Sequence, residues 1–319
     1  MVILGGSGFL GRTLAKYFSQ RDWRVVILSR HPSPIKGAEV FVWDGKTLGP
    51  WSQQLEGAKA VINLAGCSVN CRYNERNRTA MMNSRTDSTL IIGQAIAACK
   101  NPPKVWLNSS TATIYRHQYD KPNTESEGLY GASKEAKDTY SLEVAHAWED
   151  AFEEAFRVNP LSQTRGLILR TAMVFGKESG GVYEALRKLT QQGLGGTMGH
   201  GRQYVSWLHE TDFCRSIEWL IQNESAQGIY NLTAPNPLPN REMMATLRAA
   251  LSVKFGLPAT RWMLELGAFF LRTETELIVK SRRVEPARLL AEGYQFRFPH
   301  FEAAIKALEQ PDKSGLWIA

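Results

Sequence analysis

The sequence predicts a doubly wound α/β fold, a parallel sheet with helices on both faces, with a smaller C-terminal lobe closing over one edge. Three observations carry that reading. The chain opens on a strand-turn-helix pattern with glycines at 5, 8 and 11. Short apolar runs then alternate with helical stretches through the first two-thirds, and a glycine-crowded texture follows from about residue 176.

Met1, Val2, Ile3 and Leu4 form a short apolar strand that runs into Gly5-Gly6-Ser7-Gly8-Phe9-Leu10-Gly11, after which Leu10, Leu14 and Phe18 recur at helical spacing. Val25 to Leu28 gives a second strand, Val40 to Trp43 a third, Ala60 to Leu64 a fourth, Val105 to Asn108 a fifth and Leu167 to Arg170 a sixth. A helix is expected from about Thr86 to Cys99, stopped by Asn101-Pro102-Pro103, and another from about Tyr140 to Phe156. Strands alternating with helices pair in parallel through right-handed crossovers and collect ligands at their carboxyl ends. The expected division is therefore a Rossmann-type domain over 1–175 and, over 176–319, a glycine-rich lobe with a helical tail. In that lobe Pro235, Pro237 and Pro239 lead into a helix with Met243, Leu247 and Leu251, and a last helix carries Phe301, Ala304, Ile305 and Leu308.

The first turn is built to hold a diphosphate. Gly5 allows the sharp bend, Gly8 lets phosphate approach the backbone, and Gly11 lets the helix pack on the strand. The anion then meets the unpaired N–H groups and positive dipole end of the helix. Ser7, Phe9 and Leu10 complete the cofactor-binding turn. The second strand ends in Ser29-Arg30-His31, where a ribose-reading residue is due ~20 residues after the glycines. No carboxylate stands there to repel a 2'-phosphate, and Ser29 and Arg30 can donate to one, so NADP(H) is expected over NAD(H).

Of 319 residues, 38 are Lys or Arg and 31 Asp or Glu, giving a net charge of +7 with the basic residues scattered. That suits an anionic cofactor and small-molecule substrate better than nucleic acid. Cys67, Cys71, Cys99 and Cys214 lack metal or redox spacing, and no leader is recognised, so a cytoplasmic protein with reduced thiols and no metal is expected. The apolar run Leu264 to Leu271 contains Glu265 and is too short to span a bilayer, so no membrane association is expected. Oligomeric state is not legible.

Gly5, Gly8 and Gly11, with Asn63-Leu64-Ala65-Gly66 ending the fourth strand, resemble the extended short-chain dehydrogenase/reductase superfamily. A narrower resemblance, to an atypical branch of NADP-dependent nucleotide-sugar epimerases, some labelled cell-division inhibitors, covers nearly the whole chain. It rests on Ser84-Arg85, Trp148-Glu149, Gly195-Gly196, Ser206-Trp207-Leu208-His209, Asp212, and the tail Val284, Pro286, Leu289, Gly293-Tyr294 and Phe296. The resemblance implies hydride transfer at a nicotinamide cofactor bound by Leu64, Ala65, Gly66, Arg85, Asn108 and Arg170, with Arg170 at the nicotinamide end. It also implies a catalytic hydroxyl at Thr111, or at Ser109 or Ser110 in a shifted register.

The superfamily's base is a tyrosine four residues before a lysine, so that the cation supports the phenolate. Only Tyr130 and Lys134 fit, and ten tyrosines give about 0.5 such matches by chance. The branch generally lacks the pair and places its Trp-Glu helix there instead. Tyr140 has Val144, not lysine, one turn on, which favours packing. In the lobe, Arg202, Gln203, Trp207 and His209 are the expected substrate contacts, with a packing role for Trp207 and a structural His209-Asp212 pair as the alternatives. The expected function is an NADP(H)-dependent oxidoreductase or epimerase acting on a small carbonyl or nucleotide-sugar-like substrate. The alternative is a non-catalytic NADP(H) sensor.

Overall fold

The computed structural model describes residues 1–265 and 275–310. At its centre is a seven-stranded, all-parallel sheet. Its strands are β1 (Val2–Leu4), β2 (Val26–Ser29), β3 (Glu39–Val42), β4 (Ala60–Asn63), β5 (Val105–Thr111), β6 (Arg165–Thr171) and a seventh, Gly228–Leu232. The order across the sheet is Gly228–Leu232, β6, β5, β4, β1, β2, β3. The strand order reverses between β1 and β4, the place where such sheets leave a crevice for a ligand.

Alternation along each strand decides which layer it feeds. Ile3, Ile27, Ile62, Leu107 and Leu169 pack with Leu14 and Phe18 of α1 (Phe9–Ser19) on one face. Leu4, Leu28, Val61, Trp106 and Ile168 pack on the other with Ile92 and Ile96 of α2 (Glu75–Ala97) and Phe152 and Ala155 of α3 (Thr139–Val158). The helix at Glu210–Gln222 covers the α1 face.

Three expectations are adjusted by the structure. Helix α2 begins at Glu75, well before Thr86, because its first half turns Arg76, Thr79 and Asn83 toward a cleft and so shows no apolar stripe; Asn74 caps it by accepting the Asn77 N–H. Strand β5 runs three residues past Asn108, through Ser109 and Ser110 to Thr111, polar residues that a hydrophobic pattern misses. The seventh strand comes from beyond residue 175 and pairs with β6, so the edge of the sheet does not coincide with the division expected there. No described helix is long and apolar enough to cross a membrane. Residues 266–271 of the Leu264–Leu271 run lie outside the described residues.

Candidate active site

A cleft of about 870 Å³ runs along the carboxyl ends of β1 to β6. Its floor is the glycine turn. Gly5 has φ +71°, and a Cβ there would fall 2.6 Å from the Ala65 Cα; a Cβ on Gly11 would fall 2.2 Å from the Gly6 carbonyl oxygen. Gly8, in contrast, faces open space, and no side chain caps α1. An uncapped helix start beside an unfilled cradle is what a dinucleotide's diphosphate requires, so the residues present fit that group. Ser7, Phe9 and Leu10 line the same turn.

At one end of the cleft stand Arg30 and His31 after β2, Lys46 after β3 and Arg76 on α2. Ser29 is buried and exchanges hydrogen bonds with the backbone of His31, so its hydroxyl holds the turn and leaves Arg30 exposed to the cleft. Asp44 borders this end too, but its carboxylate accepts the Lys46 and Thr47 N–H groups and the Thr47 hydroxyl, which hold its pKa down to about 2. Lys46 and Arg76 were missed in the sequence. Their only signal is position, since both lie on segments that follow strand ends.

Leu64, Ala65 and Gly66 form the wall after β4. Asn108 and Arg85 support that wall from behind and do not themselves border the cleft. The Asn63 amide donates to Asn108 Oδ1 at 2.7 Å while its own Oδ1 accepts the Ala65 N–H, locking β4 to β5. Arg85 is buried, donates to the Cys67 and Met81 carbonyls, and lies 5.0 Å from the Trp148 ring; burial lowers its pKa.

At the other end Ser109, Ser110, Trp148, Thr171 and Ala172 meet. The Ser110 hydroxyl donates to Glu149 Oε1 at 2.5 Å. Arg170 grips the same carboxylate with two bonds, Nε to Oε1 at 2.9 Å and Nη2 to Oε2 at 2.7 Å, and both side chains are buried. Burial opposes the charge on Arg170, but the two-bond contact with Glu149 outweighs it and raises the guanidinium's pKa. The remaining donor, Arg170 Nη1, serves the Tyr115 hydroxyl at 2.9 Å and the Tyr130 hydroxyl at 2.8 Å. Tyr115 is buried, which pushes its phenol up to about 12, and it donates onward to Asn231. Arg170 thus lies behind the cleft wall rather than on it.

The structure corrects several placements made from sequence. The Thr111 hydroxyl accepts the Thr113 N–H and shapes the short helical turn after β5, whereas Ser109 and Ser110 are the hydroxyls on the cleft. Tyr130 and Lys134 share no helix: both lie in the irregular segment before α3, with Gly131 at φ +134° between them, and the cation on Tyr130 is Arg170. Tyr140 donates to the Arg78 carbonyl.

None of the four lobe residues borders this cleft. Trp207 is fully buried, donates to the Asn236 carbonyl and packs on Phe301. Gln203 is buried and donates to the Met198 carbonyl. His209 accepts the Thr211 N–H through Nδ1 and caps the helix Glu210–Gln222, while Asp212 turns away to the Arg297 and Phe298 N–H groups. Arg202 is exposed beside Tyr119. Among the described residues no group of three His, Cys, Asp or Glu is placed to hold a metal.

Comparisons with known proteins agree with this fold. The profile of the "NAD dependent epimerase/dehydratase family" matches residues 1–233, and a "Domain of unknown function (DUF1731)" matches residues 259–308. The human epimerase family protein SDR39U1 is 28% identical over 312 residues, 97% of this chain and 99% of its own length. The Bacillus subtilis epimerase family protein YfhF is 29% identical over 313 residues, 97% of both chains. A crystal structure of human SDR39U1 (isoform 2) with NADPH superimposes with a TM-score of 0.81 at 26% identity, covering 96% of this chain and 98% of that one.

Proposed function

The chain belongs to the NAD dependent epimerase/dehydratase family, and from that premise we propose that it is an NADP(H)-dependent oxidoreductase or epimerase acting on a small polar carbonyl or alcohol. The observation that carries the chemical half is the Ser110-Glu149-Arg170 array, a cleft-facing hydroxyl backed by a buried carboxylate that is itself held by a buried cation. The preference for NADP(H) rests on Arg30, His31, Lys46 and Arg76 at one end of the cleft, and on the NADPH in the human relative's structure.

When bound, the nicotinamide supplies hydride exchange with a substrate carbon. The glycine turn and the start of α1 hold the diphosphate, and Arg30 and Lys46 meet the 2'-phosphate. Ser110 handles the proton at the substrate oxygen: its Oγ accepts a proton from an alcohol or returns one to a carbonyl, with Glu149 Oε1 as the relay partner. Arg170 is a positioning residue, fixing the orientation of Glu149 through its two hydrogen bonds. Thr111 acts through the turn that follows β5. This assignment needs neither Lys134 nor a tyrosine on α3.

The test is turnover of NADPH or NADP⁺ with a panel of aldehydes, quinones, alcohols and sugar nucleotides, with epimer formation followed in parallel. Ser110→Ala and Glu149→Gln are each expected to lower kcat by about 10²–10⁴-fold while leaving NADPH affinity within about twofold. Full turnover in Ser110→Ala would remove Ser110 from the chemistry. A second reading, a non-catalytic NADP(H) sensor, draws on one observation, the separation of Tyr130 from Lys134. It predicts tight NADPH binding with no substrate-dependent change in nicotinamide absorbance for any member of the panel.

A further inference from the structure

A second cavity, of about 410 Å³, lies between the N-terminal ends of α2 and α3 and the short helix Glu276–Val279. Tyr73, Arg78, Tyr140 and Glu276 line it, together with the exposed Lys137 and Glu143. One buried side chain connects it with the cofactor cleft. A Cβ on Gly66, which borders the cleft, would fall 3.1 Å from the Arg85 guanidinium carbon, and Tyr73 and Tyr140 are electrostatic neighbours of that same guanidinium.

Glu276 is the observation that points to a ligand. It is 3% exposed; its carboxylate takes a side-chain hydrogen bond from Ser141, but its Oε1 atom is buried and has no hydrogen-bond partner among the described residues. Leaving a buried carboxylate oxygen without a donor is costly, and here the side chain borders an open polar cavity from which a donor can come.

A neutral donor suits the site better than a cationic one. Besides the Ser141 hydrogen bond, Glu276 already interacts with Arg282, Lys280 and Asp138, and Lys280 and Asp138 form a fully buried ion pair at 2.6 Å. Two carboxylates and two cations balance, and a third cation would leave one buried charge uncompensated. A hydroxyl satisfies Oε1 without that cost.

Arg78 supplies the opposite requirement. It is exposed, its Nε donates to the Tyr73 carbonyl at 2.9 Å, and its guanidinium lies 4.8 Å from the Tyr140 ring. No carboxylate among the described residues pairs with it, so its charge is available to an anion at the cavity.

We infer that this cavity binds a small hydroxylated anion, a molecule of sugar-acid or sugar-phosphate size whose hydroxyl donates to Glu276 and whose carboxylate or phosphate meets Arg78. The inference concerns a site separate from the cofactor cleft and does not rest on the oxidoreductase reading.

Calorimetric titration of the full chain with gluconate, glucose 6-phosphate and glucose, beside NADPH as a control, tests it. At least one anion is expected to bind saturably and about tenfold more tightly than glucose, the tighter of the two identifying the preferred anionic group. Arg78→Ala is expected to lower anion affinity about tenfold, to the level of glucose, and Glu276→Gln to weaken every probe that binds, both with NADPH affinity unchanged. The inference is overturned if neither anion binds wild-type protein that does bind NADPH, or if neither substitution alters anion affinity. Failure of NADPH to bind would instead remove the cofactor reading and leave the anion titrations to be judged separately.

Discussion

Arg30 and Arg170 show how differently two arginines at strand ends are used. Arg30 is exposed at the cleft and meets only what enters it, so Arg30→Ala is expected to reduce the NADPH-to-NADH affinity ratio about tenfold, with Lys46 and Arg76 retaining part of the preference. Paired titrations of the two reduced cofactors measure this, and an unchanged ratio would refute the assignment. Arg170 is spent inside the protein. Arg170→Ala would strand the buried Glu149 carboxylate and two phenols, and is expected to cost about 3–5 kcal/mol of stability in urea unfolding. The place of Arg30 at the cleft was legible because position after β2 has a fixed meaning in this fold. The role of Arg170 was not, because Glu149 and Arg170 are 21 residues apart on different elements and only packing of α3 on the sheet brings them together. The same limit hid which hydroxyls of β5 border the cleft, Ser109 and Ser110 rather than Thr111. The end of β5 was not legible, because its last three residues are polar and leave no hydrophobic pattern to follow.

At the scale of elements, the start of the helix Glu210–Gln222 couples stability to pH in two opposing ways. His209 caps this helix while buried, and burial, followed by Arg297 and Lys177, lowers its pKa from 6.5 to about 3. The unfolded chain therefore binds a proton that the folded one refuses, and stability is lost as pH falls from 6.5 toward 3. Glu210 is also buried, and burial raises its pKa from 4.5 to about 7. Here the folded chain holds the proton longer, so stability is lost as pH rises from 4.5 toward 7. His209→Asn keeps a capping oxygen and removes the first titration, so its melting temperature is expected to fall less than that of wild type between pH 6.5 and pH 4.5. Parallel falls in both proteins would show that His209 does not carry the acid sensitivity. Strands β1, β2 and β4 were legible as short continuous apolar runs buried on both faces, and helices α1 and α3 because each shows one apolar face in a short window. The first half of α2 was not, since its inward face meets a polar cleft, and a helix in that setting has no hydrophobic period to read.

On the scale of the whole molecule, the glycine-rich lobe and the sheet share one interior, although composition changes abruptly near residue 176. The strand Gly228–Leu232 completes the sheet, Phe175, Trp207 and Phe301 stack in one cluster with Leu14 and Leu169, and Lys280 reaches back to Asp138. Chain length favours one continuous core with an appended lobe over two independent domains, but a shared core is built from pairs distant in sequence, so which residues join the two was not readable beforehand. The shared core has a thermodynamic consequence. A cofactor held by the glycine turn should stabilise every part of the chain equally, by about 2.7 kcal/mol when NADPH stands at about 100 times its Kd. Thermal unfolding followed by far-ultraviolet circular dichroism and by tryptophan fluorescence is then expected to give one coincident transition, moved upward as a unit by NADPH and less by the same concentration of NADH. Trp106 in the sheet and Trp207 in the lobe are both fully buried, so fluorescence reports on both regions. Two transitions, with only the one belonging to the sheet responding to NADPH, would show that the lobe folds independently and that its contacts with β6 and α3 carry little coupling.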